Sequence, residues 1–195
     1  MTIVAFDGHH NLHRCLHVPV FQSLSSNGVP TGGVYGGLQT IRHTLDHFNA
    51  RECVVVWDGG YSTYRKELYP AYKANREPKT SAEQSEKEEY LSVFGSQKIL
   101  MTRVLHQLGC RILELSGVEG DDVLCAITRV NRNSERKLII VSEDMDLAQL
   151  VANNVQLYRP VSDVLITVEN FVETVGLREI GINRAGRRPE VERVG

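Results

Sequence analysis

The sequence predicts an α/β fold: a mostly parallel, twisted sheet with helices on both faces. Three observations carry this. Short apolar runs alternate with helical stretches. The strand-like runs are apolar without period-2 alternation, as in strands buried on both sides. Three of them end in acidic residues, which an open parallel sheet gathers along one edge.

Thr2–Phe6 is a buried strand that stops at Asp7-Gly8. Thr31 is the expected N-cap of a helix whose residues Val34, Leu38, Ile41, Leu45 and Phe48 share one face. Cys53–Trp57 is a second buried strand, ending at Asp58-Gly59-Gly60. Residues 60–80 are polar, basic and aromatic, and read as a loop or mobile element. Residues 81–108 are helical, with a break expected at Gly95 and a stop at Gly109. Arg111–Leu115 is a strand, and Asp121–Val130 a helix with Val123, Leu124, Ile127 and Val130 inward. Leu138–Val141 is a third buried strand, followed by Ser142-Glu143-Asp144-Met145-Asp146 and a helix through Val151. Val155–Tyr158 and Val164–Ile166 are weaker strands, and Glu169–Val175 a short helix. The expected domain covers residues 1–175, and 176–195, rich in Arg, Glu and Gly, is an irregular tail.

A chain of 195 residues, 42% hydrophobic and 24% charged, suits one globular domain. Its net charge of −2 announces no global basic field, although a carboxylate-rich site can mask a local basic patch. Cys15, Cys53, Cys110 and Cys125 form no C-x-x-C pair and read as reduced, packed thiols of a cytoplasmic protein. There is no bilayer-spanning apolar run, and the N-terminus has no basic region of the signal-peptide kind.

The acids carry the chemistry. Asp7, Asp58, Asp144 and Asp146 follow strands, and Glu119, Asp121 and Asp122 open a helix. Such carboxylates repel one another in one crevice unless they take up protons or a cation. An all-oxygen donor set selects Mg²⁺ or Mn²⁺ over zinc. Beside them, residues 65–79 hold five basic side chains against two acids, interleaved with Tyr69 and Tyr72. Cations for phosphates and rings for bases suit a single-stranded nucleic acid. His9, His10, His13 and His17 lack a partner cluster and suggest no zinc site.

Five segments together resemble one family. They are Phe6-Asp7-Gly8-His9-His10-Asn11-Leu12-His13-Arg14; Pro30-Thr31-Gly32-Gly33-Val34-Tyr35-Gly36; Trp57-Asp58-Gly59 with Arg65 and Tyr72-Lys73-Ala74-Asn75-Arg76; Gly117-Val118-Glu119-Gly120-Asp121-Asp122; and Ser142-Glu143-Asp144-Met145-Asp146-Leu147-Ala148-Gln149-Leu150. In this order they resemble the resolvase-like, PIN-like N-terminal domain of 5′→3′ exonucleases and flap endonucleases, nearer the bacterial and phage branch.

The resemblance implies a two-metal nuclease acting on DNA 5′ flaps and 5′ ends, and on RNA–DNA hybrids. It places Asp58, Glu119, Asp121 and Asp144 at a first metal, supported through water by Asp7 and Asp122. Asp144 and Asp146 would reach the second. Lys73 and Arg76 would contact the scissile phosphate, with Arg14, Tyr35, Arg65 and Tyr72 among the nucleic-acid contacts. The family's following helix–hairpin–helix region, with a Gly-Asp-x-x-Asp-Asn-Ile-like motif, has no counterpart here, since the last aspartate is Asp163. A truncated enzyme, half of a split one whose partner polypeptide carries that region, or a minimal form is therefore expected, with its second metal site incomplete. Two further readings stay open: a PIN-type ribonuclease, and a non-catalytic DNA-binding protein.

Overall fold

In the computed structural model the described residues are 1–60, 62–73 and 78–176. Arg76 and the 177–195 part of the expected tail lie outside them. The chain runs β1 (Thr2–Asp7), α1 (Gly8–Leu16), α2 (Pro19–Gln22), β2 (Ser25–Ser26), β3 (Val29–Pro30), α3 (Gly32–His47), β4 (Glu52–Trp57), α4 (Thr63–Leu68) and α5 (Ser81–Gln107). It continues through β5 (Arg111–Glu114), α6 (Gly120–Asn131), β6 (Lys137–Val141), a 3₁₀ helix (Met145–Leu150), β7 (Val155–Arg159), β8 (Val164–Ile166) and α7 (Phe171–Val175).

The main sheet has the order β5-β4-β1-β6-β7-β8. All its pairings are parallel except β7 with β8. The fold class is therefore the expected one, with an antiparallel strand at one edge. The apolar runs are explained by two cores, one on each face. Val4, Phe6, Val55, Trp57, Ile139 and Val141 point to one side and pack with α1, α3 and α5 through Leu12, Ile41, Met101 and Leu105. Ala5, Val56, Leu138 and Ile140 point to the other and pack with α6 and the 3₁₀ helix through Val123, Leu124 and Leu147. Each large side chain so buried contributes about 1.5–3 kcal/mol relative to exposure.

Several local expectations change. The 60–80 segment contains α4, started by Ser62, whose Oγ accepts the Arg65 N–H at 3.2 Å. α5 runs unbroken through Gly95, whose missing Cβ faces open space, so the extra backbone freedom is tolerated by the rest of the helix. Val130 is 81% exposed rather than inward, because Thr128 and Asn131 occupy the buried side of that last turn. Thr31 occupies the cap position of α3 but makes no side-chain cap bond. The helix after Asp146 is a single 3₁₀ segment. α1, α2 and the β2–β3 hairpin had no counterpart in the sequence reading. No helix among the described residues is long and apolar enough to cross a membrane.

Parallel strands deliver their carboxyl ends to one side. α1 begins there, capped by Asp7, and it lies close to β4 because Gly8 has no side chain. A Cβ on Gly8 would stand 2.7 Å from Val55 Cγ1 and 2.9 Å from the Val56 carbonyl.

Candidate metal centre

Asp7 closes β1, Asp58 follows β4, Glu119 and Asp121 stand at the start of α6, and Asp144 follows β6. Asp7 is held on both oxygens. Oδ1 accepts the His10 N–H at 2.9 Å, and Oδ2 accepts the Ser142 hydroxyl at 3.0 Å. Ser142 in turn accepts the Asp144 N–H at 3.1 Å, and Asp144 caps the 3₁₀ helix by accepting the Asp146 N–H at 2.8 Å. Asp58 Oδ1 accepts the Gly120 N–H at 2.5 Å, which ties the end of β4 to the start of α6.

Asp7 and Asp121 crowd among like charges. Burial pushes Asp7 from 3.8 up to about 6, with Asp58 and Asp144 adding repulsion against its two hydrogen bonds. Asp121 keeps a solvent-open side, yet partial loss of hydration lifts it to about 6, reinforced by Asp7, Asp144, Asp58 and Glu119. Burial holds His9 below its ordinary value against the opposing pull of Asp58, and its Nδ1 stands 3.5 Å from Asp58 Oδ2 without completing a hydrogen bond.

The other acids are neutralised by cations from the 62–73 segment. Buried Glu119 accepts from Lys73 Nζ at 2.9 Å, from an Arg65 guanidinium N–H at 2.9 Å and from the Tyr72 hydroxyl at 3.1 Å. Burial opposes ionisation of Glu119, but Lys73 and Tyr72 prevail and hold it below the usual range. Arg65 also grips Asp122 with two bonds, of 2.9 and 2.7 Å. The Tyr72 ring lies beneath both cations, 5.9 Å from the Arg65 guanidinium carbon and 5.1 Å from Lys73 Nζ. Lys73 adopts a left-handed backbone, φ 56°.

Asp7, Asp58, Glu119, Asp121 and Asp144 thus share one electrostatic crevice, with Asp122 beside it on Arg65. Asp146 is exposed and is not among the main charges acting on Asp7 or Asp121. Arg14 donates to Thr40 of α3 at 3.0 Å and lines a small cleft with His10, Ser142 and Glu143 at the same end of the sheet. Tyr35 is half exposed and meets Phe21 edge-on, so its contacts are with α2 rather than with the acids. Among the described residues, no three His, Cys, Asp or Glu groups close into a chelate. Like charges keep apart, and Lys73 and Arg65 occupy Glu119. The donor chemistry nevertheless fits a hard divalent cation: every donor is a carboxylate oxygen, and burial with mutual repulsion lifts Asp7 and Asp121 to about 6.

Sequence reasoning missed Ser142, Gly120 and His9 as partners of the acids. Ser142 stands two residues before Asp144 and was legible as part of that motif. The Gly120 N–H and His9 carry no signal in a one-dimensional reading. Nor did the histidine spacing show that the His13 and His17 rings stack at 4.5 Å, or that His13 meets Tyr90 at 5.6 Å.

The Asp7 shift has a measurable sign. Between its ordinary value and about 6, the folded protein binds the extra proton and the unfolded chain does not. Asp7 therefore costs stability increasingly as pH rises through that window. Metal-free Asp7→Asn is expected to gain stability relative to wild type by roughly 2–3 kcal/mol between about pH 4 and pH 7. Urea unfolding of both proteins across that range checks it. A pH-independent difference removes the shift.

The fold and its crevice define a resolvase-like α/β domain with a carboxylate cluster at the carboxyl ends of its strands. The chain belongs to the family of the 5′-3′ exonuclease N-terminal resolvase-like domain, which matches residues 2–176. A 5′-3′ exonuclease of Buchnera aphidicola subsp. Schizaphis graminum is 25% identical over 177 residues, covering 90% of this chain and 57% of that protein. The thermostable DNA polymerase I of Thermus thermophilus is 31% identical over 176 residues, covering 90% of this chain and 20% of that protein. Among solved structures, the T5 5′-exonuclease with bound divalent metal ions (zinc) superposes with a TM-score of 0.70 at 20% identity, over 89% of this chain and 60% of its own. The chain spans 57% or less of the length of these curated relatives.

Proposed function

We propose that this chain is the catalytic domain of a Mg²⁺-dependent (or Mn²⁺-dependent) 5′→3′ exonuclease and flap endonuclease. It would hydrolyse DNA to leave 5′-phosphate and 3′-hydroxyl ends. The observation that carries the reading is the crowding of Asp7, Asp58, Asp121 and Asp144 in one crevice, with Lys73 and Arg65 facing it. Family membership supports it. So does the bacteriophage T5 flap endonuclease, described as a complex with DNA and metal ions.

Asp58, Glu119, Asp121 and Asp144 would hold the first ion, with Asp7 and Asp122 supporting it, and Asp144 and Asp146 would serve a second. Bound divalent ions in such sites lower the pKa of water and offset charge on the departing oxygen. This chain's own residues do the rest. Ser142 and the His10 N–H orient Asp7, and the Gly120 N–H fixes the rotamer of Asp58. Lys73 and Arg65 are ion-paired to Glu119, so an incoming phosphodiester would draw them from that carboxylate and free its oxygens. Lys73 and Arg76 would then face the scissile phosphate, while Arg14, Tyr35 and Tyr72 would place the strand.

A 5′-labelled flap duplex, incubated with the purified chain and Mg²⁺, Mn²⁺ or EDTA, tests this. Metal-dependent cutting near the junction is the expected result. Binding with no cutting under any metal would remove the catalytic reading for this chain.

Arg65→Ala separates the roles of the two cations. It removes both bonds to Asp122 and one to Glu119. Arg65 is 36% exposed, so the loss of stability should be small, about 1 kcal/mol. Cleavage should fall by about 10²-fold if Arg65 helps place the strand. Unfolding midpoints and initial rates measure both, and an unchanged rate would leave Arg65 a structural clamp only.

A further inference from the structure

β4 and β5 run parallel, with Val54 opposite Arg111 and Trp57 opposite Glu114. One residue earlier, the same ladder sets Cys53 beside Cys110. Neighbouring strands lie about 4.8 Å apart, and a disulfide joins Cα atoms about 4.4–6.8 Å apart. Both side chains lie on the α3–α5 side of the sheet, Cys53 within that core and Cys110 packed against it. Cys110 is anchored at the turn after α5, where its N–H donates to the Leu105 carbonyl at 3.0 Å. Interaction between the two thiols draws Cys110 down to about 7 against burial, while the same interaction and burial push Cys53 up. Cys110 is partly exposed and Cys53 is buried. That is the arrangement of an attacking thiol with a second thiol waiting behind it.

We propose that Cys53 and Cys110 form a reversible dithiol–disulfide site, oxidised by small disulfides of the glutathione type. The Cys110 thiolate attacks one sulfur of oxidised glutathione and expels a glutathione thiolate, leaving a mixed disulfide. Cys53 gives its proton to that thiolate and attacks the Cys110 sulfur, expelling the second glutathione. Two protein thiols and one oxidised glutathione thus become one protein disulfide and two reduced glutathiones. The bridge crosses from β4 to β5, strands that lead at their other ends to Asp58 and to Glu119. The sequence separation of the two cysteines hides the pair, because only the strand register brings them together.

The test begins with the fully reduced chain, incubated with oxidised glutathione and then alkylated in denaturant. Two of the four thiols should be lost, and tryptic fragments carrying Cys53 and Cys110 should stay joined until dithiothreitol is added. Cys53→Ser should stop at one glutathione adduct on Cys110, and Cys110→Ser should leave Cys53 unmodified. Four free thiols in the wild type, a bridge drawn from Cys15 or Cys125, or two stable adducts in place of a bridge would each overturn the proposal.

Discussion

On the proposed function, Asp58→Asn will lose metal-dependent cleavage by at least about 10²–10³-fold while the protein stays folded and keeps its binding to a DNA flap. The amide keeps an oxygen for the Gly120 N–H, so the link between β4 and α6 survives. What disappears is one negative charge among the groups that crowd Asp7 and Asp121. Two readouts should therefore move in opposite directions. Activity with Mg²⁺ collapses, and unfolding stability without metal holds or rises, because repulsion is relieved. Asp144→Asn should behave alike, since its amide oxygen can still cap the Asp146 N–H. A structural aspartate would show the reverse pattern, with stability lost and rate per folded molecule retained. Wild-type cleavage by purified Asp58→Asn would end the metal-site assignment.

Gly59→Ala will destabilise the domain by about 2–4 kcal/mol and pull the crevice apart. The Gly59 N–H donates to the Val118 carbonyl at 3.0 Å, and the Gly59 carbonyl accepts from the Gly117 N–H at 2.9 Å. This pair of bonds locks the turn after β4 to the turn after β5. It requires an approach that leaves no room for a side chain: a Cβ would stand 1.8 Å from the Leu115 carbonyl oxygen. The obstacle is backbone on both sides, so rotamer changes cannot relieve it. Separating the turns moves Asp58 away from Gly120, so the variant should be weaker in denaturant and slower in cleavage even at low temperature. A loss below about 0.5 kcal/mol would mean that the two turns yield easily and do not hold the acids in place.

The sheet was legible because both of its faces are buried. Runs such as Val54-Val55-Val56-Trp57 admit little else once helical stretches alternate with them. The acids were legible for a related reason: parallel strands point the same way, so residues just past Phe6, Trp57 and Val141 must meet. What stayed hidden depended on the third dimension. Gly95 looked like a break but lies where α5 faces open space. Val130 fitted the helical stripe, but the last turn of α6 faces solvent there. The division of the acids into a cation-paired set (Glu119, Asp122) and a set raised by burial and like charges (Asp7, Asp121) depends on where α4 and the following turn carry Arg65, Tyr72 and Lys73. No spacing rule contains that placement.

The central position of β1 has a consequence for biosynthesis. The earliest strand of this sheet in chain order lies between β4 and β6, and Asp7 receives its hydroxyl partner from Ser142, 135 residues later. Such long-range closure is slow and completes only when the last partner has emerged. A nascent chain that has exposed only its first half carries Asp7 and Asp58 but neither β6 nor Asp144. The carboxylate crevice therefore cannot assemble until the chain has been made through Ser142 and Asp144.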